Sequence, residues 1–495
     1  MFEVIKSDLG GRIGRLHTNH GTVETPAFVP VIHPVKQSIG CSTIREMGFE
    51  MVITNAYITM KRYGEEAERR GIHDIIGFDG PIMTDSGGYQ VLEYGDLDIE
   101  PARMAGFEAA IMSDVAVPLD KPTGFGLPHD TASSYVDRTL EACRQTLGAA
   151  PDNGQIWVGP IQGGEHADLV RRSARGLLEA GHTMVALGSP VEFMESYEYR
   201  LLAQMITEAR EAVPPRIPMH LFGAGHPLTI PLAVALGCDT FDSASYILYA
   251  KQDRYITSDG TRRLPELRHL PCSCAVCASR TPADIAGDER RVDLLALHNL
   301  AAIKLEVDAT KQAIHEGRLW EHVIKKARAH PRLYEATPVL HNNVVLAGGT
   351  PRFKAKAAFL YDYTDQYRPE AGALRGAITS FRTAKPILRI LPEPEAKPAY
   401  LSGACRAASE DPDVQVCVYN PFLGVIPLEL TDLYPAAHHL SVRGTHEPAA
   451  FPTFTTSLKH LLANNAFEEI RYDESDQFLA YHIRKARAQA AAQQK

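Results

Sequence analysis

The stretch MHLFGAGHPLTIPLAVALGCDTFDSAS (residues 219–245) contains two short apolar runs, MHLFGA (219–224) and TFDSAS (240–245), at its two ends. Six similar runs precede it in the chain: FVPVI (28–32), MVITN (51–55), PIMTD (81–85), VAVPLD (115–120), WVGPIQ (157–162) and MVALGS (184–189). Most of the eight are too uniformly apolar for a sheet with one face in water. Such runs are typical of buried parallel strands.

Segments with a helical pattern separate many of these runs. TASSYVDRTLEACRQTL (131–147) repeats apolar residues at three- and four-residue steps and begins with a Thr or Ser suited to capping. ADLVRRSARGLLEAG (167–181) ends on a glycine suited to a helix C-terminus. Eight strands with helical crossovers predict an α/β fold, a (β/α)8 TIM barrel. An open, doubly wound sheet is the alternative with the same alternation.

The pattern changes after residue 250, where a polar stretch leads to a cysteine cluster and then to long helices. We expect a TIM-barrel catalytic domain over residues 1–335, with a zinc-binding insertion at about 265–305. A smaller α+β accessory domain is expected over residues 340–495, because the chain becomes rich in turn-forming residues near 336.

Bulk composition is ordinary for a globular protein, with 45% hydrophobic and 22% charged residues. The net charge of −9 argues weakly against a nucleic-acid partner, although phosphate contacts depend on local basic patches. No apolar run reaches the ~18 residues of a membrane span, and the N-terminus lacks the apolar core of a signal peptide. The expectation is a cytoplasmic protein with no membrane contact.

Polar residues, and one glycine with its backbone amide, lie at the carboxyl ends of the predicted strands, where a barrel of this kind carries its reaction site. They are Asp85, Asp120, Gln162, Gly188, Ser189 and Asp242. Each alone is as well explained by a turn or a helix cap. Three carboxylates joined by a glutamine and three glycine-containing loops favour a shared site, because glycine lets backbone amides approach a flat ligand.

Such a site suits a purine-like base. A carboxylate accepts hydrogen bonds from the ring N–H and the exocyclic amine of guanine. An amide or backbone N–H donates to the guanine carbonyl. Tyr89 is placed to stack on the ring, and its alternative is a core tyrosine. Paired carboxylates also match cleavage of a base–sugar bond, in which one attacks the sugar carbon while a second group protonates the leaving base.

The strongest local signal is a metal-ligand cluster. Cys272, Cys274 and Cys277 lie within six residues, and His298 follows at the start of a helical pattern. Three thiolates and one imidazole complete a tetrahedral zinc shell without an open position, which indicates one structural Zn²⁺ per chain. The remaining cysteines are isolated, as expected of small buried residues.

These motifs together resemble the tRNA-guanine transglycosylases. The similarity rests on DSGGYQ (85–90), SDVAVPLD (113–120), GPIQGG (159–164), ALGSP (186–190), HLFGAGHPL (220–228), GCDTFDSASY (237–246) and CSCAVC with LALHNL. They follow the family's order over residues 1 to about 330. Forms such as VALGSP and FDSASY are similar to the archaeal branch, whose members act on guanine-15 of tRNA.

The resemblance implies exchange of that guanine for 7-cyano-7-deazaguanine (preQ0), in archaeosine biosynthesis, through a covalent enzyme–tRNA intermediate. It assigns Asp242 as nucleophile and Asp85 as acid/base, although the sequence does not itself decide which of them attacks. It places the base against Ser86, Gly87, Tyr89, Asp120, Gln162, Gly188 and Ser189. The zinc ligands are the three clustered cysteines with His298.

The implied partners are tRNA and the guanine or preQ0 base. The family also suggests a homodimer. Residues 340–495 contain no recognisable PUA module, so either a separate PUA-containing protein supplies it or this protein binds tRNA without it. Three other readings remain: an archaeosine synthase-like paralogue, a non-catalytic tRNA-binding subunit and a metal-dependent barrel hydrolase. The paired aspartates and the base pocket count against the first two. The third lacks metal ligands at the strand ends.

Overall fold

A computed structural model describes residues 2–87 and 100–493 of the chain. They form two compact units. The larger comprises Met1–His315, Leu319–Val339 and Val344–Gly349, and the smaller comprises Glu316–Arg318, Leu340–Asn343 and Thr350–Lys495.

The strands of the larger unit are β1 (Phe2–Asp8), β2 (Gly11–Thr18), β3 (Gly21–Thr25), β4 (Ala27–Ile32), β5 (Val52–Asn55), β6 (Ile82–Asp85), β7 (Val115–Ala116), β8 (Ile156–Ile161), β9 (Met184–Leu187), β10 (Met219–Leu221), β11 (Thr240–Ser243), β12 (Arg254–Thr257) and β13 (Gly260–Arg263). Its helices are α1 (Cys41–Glu46), α2 (Ala56–Tyr63), α3 (Glu65–Arg70), α4 (Ile72–Ile76), α5 (Pro101–Ala110), α6 (His129–Ala149), α7 (Ala167–Ala180), α8 (Val191–Glu195), α9 (Tyr199–Ala212), α10 (Ile230–Ala235), α11 (Ser245–Lys251), α12 (Pro282–Gly287), α13 (Arg291–Glu316), α14 (Leu319–Ala327), α15 (Pro331–Tyr334) and α16 (Val344–Gly349).

Strands β4 to β11 close into a parallel barrel in chain order, with β11 pairing back onto β4. Each of the eight strands falls within one of the predicted apolar runs or begins one residue before it, and helices separate them. The (β/α)8 prediction is therefore confirmed, and the open-sheet alternative is wrong.

The lower part of the barrel is filled by apolar side chains from strands β4 to β9. The buried cluster includes Val29, Ile53, Met83, Val115, Val158 and Met184. Leu16 and Val23 of the N-terminal sheet join the same cluster. Because this packing occupies the strand beginnings, polar side chains are left to the carboxyl ends.

The N-terminal antiparallel sheet β1–β2–β3 was not foreseen from the sequence. It lies against the N-terminal end of the barrel, since β3 ends at Thr25, two residues before β4 begins. Buried Arg12 in β2 donates to Asp239 (Nε to Oδ1, 2.9 Å), and Asp239 also accepts from the backbone N–H of Met219. This ion pair joins the sheet to strand β10.

Two helix boundaries test the capping predictions. The helix containing residues 131–147 begins earlier, at His129, after Pro128, and no side chain caps its first turn. The predicted Thr or Ser cap is therefore wrong, because proline already sets the extended backbone before the helix. Helix α7 ends as expected, with Gly181 in the left-handed conformation at φ 108°.

The smaller unit contains strands β14 (Ala358–Leu360), β15 (Ile387–Pro392), β16 (Val414–Asn420), β17 (Gly424–Pro427), β18 (His439–Ser441) and β19 (Glu469–Arg471), with helices α17 (Pro369–Ser380), α18 (Gly403–Ala408), α19 (Pro452–Ala463) and α20 (Gln477–Gln493). A mixed sheet in the order β17–β16–β15–β19 and a parallel pair β14–β18 share this unit with a helix-packed apolar core. This agrees with the smaller α+β unit expected toward the C-terminus.

Among the helices of residues 2–87 and 100–493, none combines the length and apolar character that crossing a membrane requires.

Candidate active site and metal centre

The predicted polar residues are placed at the carboxyl ends of neighbouring or nearby barrel strands. Asp85 ends β6 and is in register with Asn55 of β5, while Asp242 lies in β11. Asp120 follows β7, Gln162 follows β8, and Gly188 and Ser189 follow β9. The closed parallel arrangement therefore gathers these groups around one barrel mouth.

Asp242 is held by donors that all reach one of its two oxygens. Oδ1 accepts from the backbone N–H of Gly223 (2.9 Å) and from Nε2 of His220 (3.0 Å). Because a carboxylate only accepts, Nε2 of His220 donates this bond, and its Nδ1 lies 2.8 Å from the Thr240 hydroxyl. No described residue donates to Oδ2, so this oxygen is left for another partner.

Asp85 is held more loosely. Its Oδ1 accepts from the Gly87 backbone N–H at 3.3 Å, and its Oδ2 accepts from the Asn55 amide at 3.4 Å. Asn55 is itself fixed, because its Oδ1 caps helix α2 by accepting from Ile58 N (2.8 Å). Both oxygens of Asp85 thus have a weak donor, in contrast to the one-sided arrangement at Asp242.

Two of the carboxyl groups have strongly raised proton affinities. Removal of solvent in the barrel mouth, reinforced by the charge of Asp242, raises the pKa of Asp85 to about 6. The same loss of solvent, with the charge of Asp85, raises the pKa of Asp120 to about 7. The three aspartates therefore sense one another electrostatically and lie in one site.

Asp120 and Gln162 form a fixed pair. Gln162 Nε2 donates to Asp120 Oδ2 at 2.5 Å, and Gln162 Oε1 accepts from Thr123 N (2.9 Å) and Thr123 Oγ1 (3.0 Å). Because the backbone N–H of Thr123 can only donate, the atom of the Gln162 amide that it contacts is the oxygen, Oε1. No described residue accepts the second N–H of Nε2, which remains for a ligand carbonyl.

Gly188 and Ser189 complete this side of the mouth. A Cβ on Gly188 would lie 2.1 Å from Gln162 Nε2, so only glycine leaves the amide its present position. Ser189 Oγ donates to Gln162 Oε1 at 3.4 Å, from a backbone with φ 60°. The loop after β9 is therefore shaped around Gln162.

The DSGG loop is partly described. Ser86 is fully buried and its hydroxyl has no hydrogen-bond partner among the described residues, while Gly87 has φ 97°. The stacking residue predicted at Tyr89 lies outside the described residues. Ser86 and Gly87 directly follow Asp85, which places them at the same barrel mouth.

Sequence reasoning missed three residues that hold the site: Asn55, Thr123 and His220. Asn55 ends an apolar strand, which is the same signal that pointed to Asp85. His220 lies inside an apolar run and is fully buried, so its polarity was hidden by its neighbours. Thr123 belongs to an irregular loop, for which no periodic pattern gives a location.

The predicted metal ligands converge in a second part of the same unit. One ligand atom from each of Cys272, Cys274, Cys277 and His298 lies within 4.8 Å of the others. His298 Nδ1 is 3.4 Å from Cys277 Sγ and 3.6 Å from Cys274 Sγ. The cysteine loop precedes α12 and the histidine lies in α13, close to the hairpin β12–β13.

The orientation of His298 fits a metal ligand. Its Nε2 lies 2.8 Å from the carbonyl oxygen of Ile256, so Nε2 carries the hydrogen and Nδ1 presents its lone pair to the sulfurs. Tyr255 stacks on the ring with centroids 3.6 Å apart, and its hydroxyl is 3.3 Å from Cys277 Sγ. The outer shell therefore fixes both the tautomer and the ring plane.

Comparison with known proteins places this site among tRNA-modifying enzymes. The profile of the family described as Queuine tRNA-ribosyltransferase matches residues 8–332. A tRNA-guanine(15) transglycosylase of Aeropyrum pernix is 40% identical over 450 residues, covering 88% of this chain and 86% of the relative. Proteins of the same name from Sulfolobus acidocaldarius (38% identity; 95% and 94% covered) and Saccharolobus solfataricus (38%; 98% and 98%) are also similar.

The close approach at Gly188 leads to a structural prediction. Gly188→Ala should displace the Gln162 amide from Asp120 and destabilise the barrel unit by about 1–3 kcal/mol, the usual cost of overpacking. Thermal unfolding and a crystal structure of the variant measure both effects. Gly148→Ala in α6, whose new methyl group meets nothing within 4 Å, is the control and should be neutral or stabilising. An unmoved Gln162 in a fully stable Gly188→Ala variant contradicts the prediction.

Proposed function

Because this chain belongs to the queuine tRNA-ribosyltransferase family, we propose that it exchanges guanine-15 of tRNA for 7-cyano-7-deazaguanine (preQ0), as a step in archaeosine formation. The chain is a pentosyltransferase acting on tRNA. The position follows the name of its relatives, which are tRNA-guanine(15) transglycosylases. The observation that carries the mechanism is the barrel mouth with three interacting aspartates, each supported by different donors.

We assign the nucleophile to Asp242. Its Oδ1 is tied to His220 and Gly223, which leaves Oδ2 to attack C1′ of the ribose. As the new C1′–O bond forms, the C1′–N bond breaks and its electron pair leaves with the guanine. The product is an ester between Asp242 and the tRNA, which would hold the sugar until the second base arrives.

Asp85 is assigned as the acid and base. With a pKa of about 6, it is able to hold a proton for the leaving guanine and to take one from the incoming base near neutral pH. The ring nitrogen of the incoming base then attacks C1′, the ester bond breaks, and Asp242 regains its carboxylate. Two displacements at C1′ retain the configuration of the sugar.

Recognition of the hydrogen-bonding edge of the base is assigned to Asp120 and Gln162. An ionised Asp120 accepts from the ring N–H and the exocyclic amine, which guanine and preQ0 share. The free N–H of Gln162 is oriented to donate to the base carbonyl, with Ser189 and Gly188 shaping that side. Ser86, Gly87 and Tyr89 are assigned to the same pocket by their place in the DSGGYQ motif.

We further propose that the Cys272, Cys274, Cys277 and His298 cluster holds one structural Zn²⁺. Four protein ligands close the coordination shell, so the ion would cross-link the insertion and take no part in the exchange. The proposed macromolecular partner is tRNA. A second copy of this chain and a separate PUA-containing protein remain proposed partners from the family resemblance.

Base exchange tests the proposed function directly. Wild-type protein incubated with tRNA transcript and labelled guanine or preQ0 should incorporate label at position 15. Asp242→Ala should lower incorporation by about 10⁴-fold, as loss of a nucleophile usually does, with an unchanged circular dichroism spectrum. Asp152→Ala, at an exposed loop position, is the control and should keep full activity.

Each contrary outcome identifies another function. Label at position 34 moves the chain to the queuosine type of reaction. Binding of tRNA without any exchange favours the non-catalytic subunit, and action only on tRNA that already carries preQ0 favours the archaeosine synthase-like paralogue. Full activity of Asp242→Ala overturns the assignment of the nucleophile.

The raised pKa of Asp120 predicts a pH dependence. Because the ionised form accepts both base N–H groups, guanine affinity should increase with pH, about tenfold per unit below 7, and level off above about 7. Calorimetric titration of guanine over this range measures it. Asp120→Asn, which has no carboxylate to ionise, should bind weakly with no step near 7. A step of equal size in Asp120→Asn contradicts the assignment.

Removal of a thiolate tests the metal centre. Cys274→Ser should lose the thiolate-bound zinc, and hydrogen exchange should accelerate over about residues 265–305, because ligation and local folding are coupled. Cys41→Ala, at an isolated thiol, is the control and should retain the metal. Metal content by mass spectrometry gives the readout. Retention of the thiolate-bound zinc in Cys274→Ser contradicts the assignment of Cys274 as a required ligand.

A further inference from the structure

A second group of metal-type ligands lies away from the proposed reaction site. It consists of His20 in the turn between β2 and β3, His73 in α4, and Asp114 just before β7. One ligand atom from each residue lies within 4.8 Å of the other two. We propose that these three residues form a second divalent metal site, distinct from the cysteine cluster, which fastens the N-terminal sheet to the barrel.

The cluster lies at the N-terminal end of the barrel. The backbone N–H of Asp114 donates to the carbonyl oxygen of Ile82 at the start of β6 (3.0 Å). The carbonyl oxygen of Asp114 accepts from the backbone N–H of Ile156 at the start of β8 (2.8 Å). Asp85 and Gln162 lie at the opposite ends of these two strands. The second site is therefore separated from the base pocket by the length of the barrel strands.

The carboxyl group of Asp114 is buried and fixed in orientation. Its side chain is completely buried, and each oxygen accepts one backbone N–H: Oδ1 from His20 (2.8 Å) and Oδ2 from Ile82 (2.9 Å). A buried carboxyl group in a fixed orientation is thus present at this end of the barrel.

The two imidazoles approach this carboxylate from different elements. His20 Nδ1 is 2.9 Å from Oδ1, and His73 Nε2 is 3.0 Å from Oδ2. The ring centroids are 3.8 Å apart, and the ligand atoms of the three residues lie within 4.8 Å of one another. Donor atoms bound to one ion at the ~2.0–2.2 Å of zinc–nitrogen and zinc–oxygen bonds are about 3–3.5 Å apart, close to these separations.

The donor set defines the class of ion. Two imidazoles with one carboxylate suit borderline divalent ions such as Zn²⁺, Fe²⁺ or Co²⁺ rather than Mg²⁺ or Ca²⁺, which prefer oxygen alone. The His20 side chain is 43% exposed, so the ion has a path from solvent and room for a water ligand. The alternative is a hydrogen-bonded network in which both imidazoles donate to Asp114 without an ion.

Cobalt titration separates the two metal sites, because Co²⁺ bound to thiolates shows intense sulfur-to-metal absorption and Co²⁺ bound to imidazole and carboxylate does not. Metal-depleted full-length protein titrated with Co²⁺ should take up a second equivalent that adds only weak visible bands. His20→Ala and His73→Ala should each lose this equivalent, keep the thiolate band, and lose the rise in unfolding temperature that the second equivalent produces in wild-type protein.

His17→Ala is the matched control, since His17 lies on the same hairpin and is an exposed imidazole outside the cluster. It should keep both equivalents. The histidine variants are preferred to Asp114→Asn, because Asp114 also anchors two backbone N–H groups and its loss can impair folding. The proposal is overturned if wild-type protein binds Co²⁺ only at the thiolates. A second equivalent that survives in His20→Ala and His73→Ala, or that disappears in His17→Ala, also overturns it.

Discussion

Closure of eight parallel strands is the constraint on which the rest of this protein depends. In a closed parallel barrel every strand ends on the same face, so residues as distant in sequence as Asp85 and Asp242 become neighbours without any direct pairing of their strands. The apolar layer from Val29 to Met184 fills the barrel below them. Water is displaced from beneath the carboxylates, and this loss of solvent raises the proton affinity of Asp85 and Asp120.

Placing three carboxyl groups in one recess costs free energy, because each loses solvent and their charges repel. Hydrogen bonds offset this cost differently at each group. Asp242 has two good donors on one oxygen, Asp120 has one short bond from Gln162, and Asp85 has two long bonds. This unequal support matches the three roles that we propose: Asp242 has an oxygen free to attack, Asp120 accepts from the base, and Asp85, with its raised pKa, holds a proton near neutral pH. The chemistry proposed for the site follows from this inequality more than from the aspartates themselves.

The features that the sequence predicted well are those that repeat. Buried strands produce uninterrupted apolar runs, and their number and spacing indicated the barrel. The spacing of the CSCAVC cysteines likewise indicated side chains that lie close together in the structure and could hold a metal ion. Features set by a single tertiary contact were not predictable. His220 lies within an apolar run, and its role depends on its contact with Asp242, which no sequence pattern shows. Strand β1 is mostly exposed and therefore lacks the apolar run that marks the barrel strands. Pro128 rather than a Thr or Ser precedes α6, since more than one residue type can begin a helix.

The two ends of the barrel follow different physical rules. At the carboxyl end, helices and loops diverge after each strand, so polar groups can be aimed into a recess and still be supported by backbone amides. At the amino end the β1–β3 sheet must be fastened to strands that it does not continue, and apolar packing by Leu16 and Val23 is reinforced there by charged groups. Arg12 with Asp239 and His20 with Asp114 are two contacts of this kind between the sheet and the residues that precede the barrel strands. A rigid lower end keeps the strands in register, and the positions of the carboxylates at the other end depend on that register.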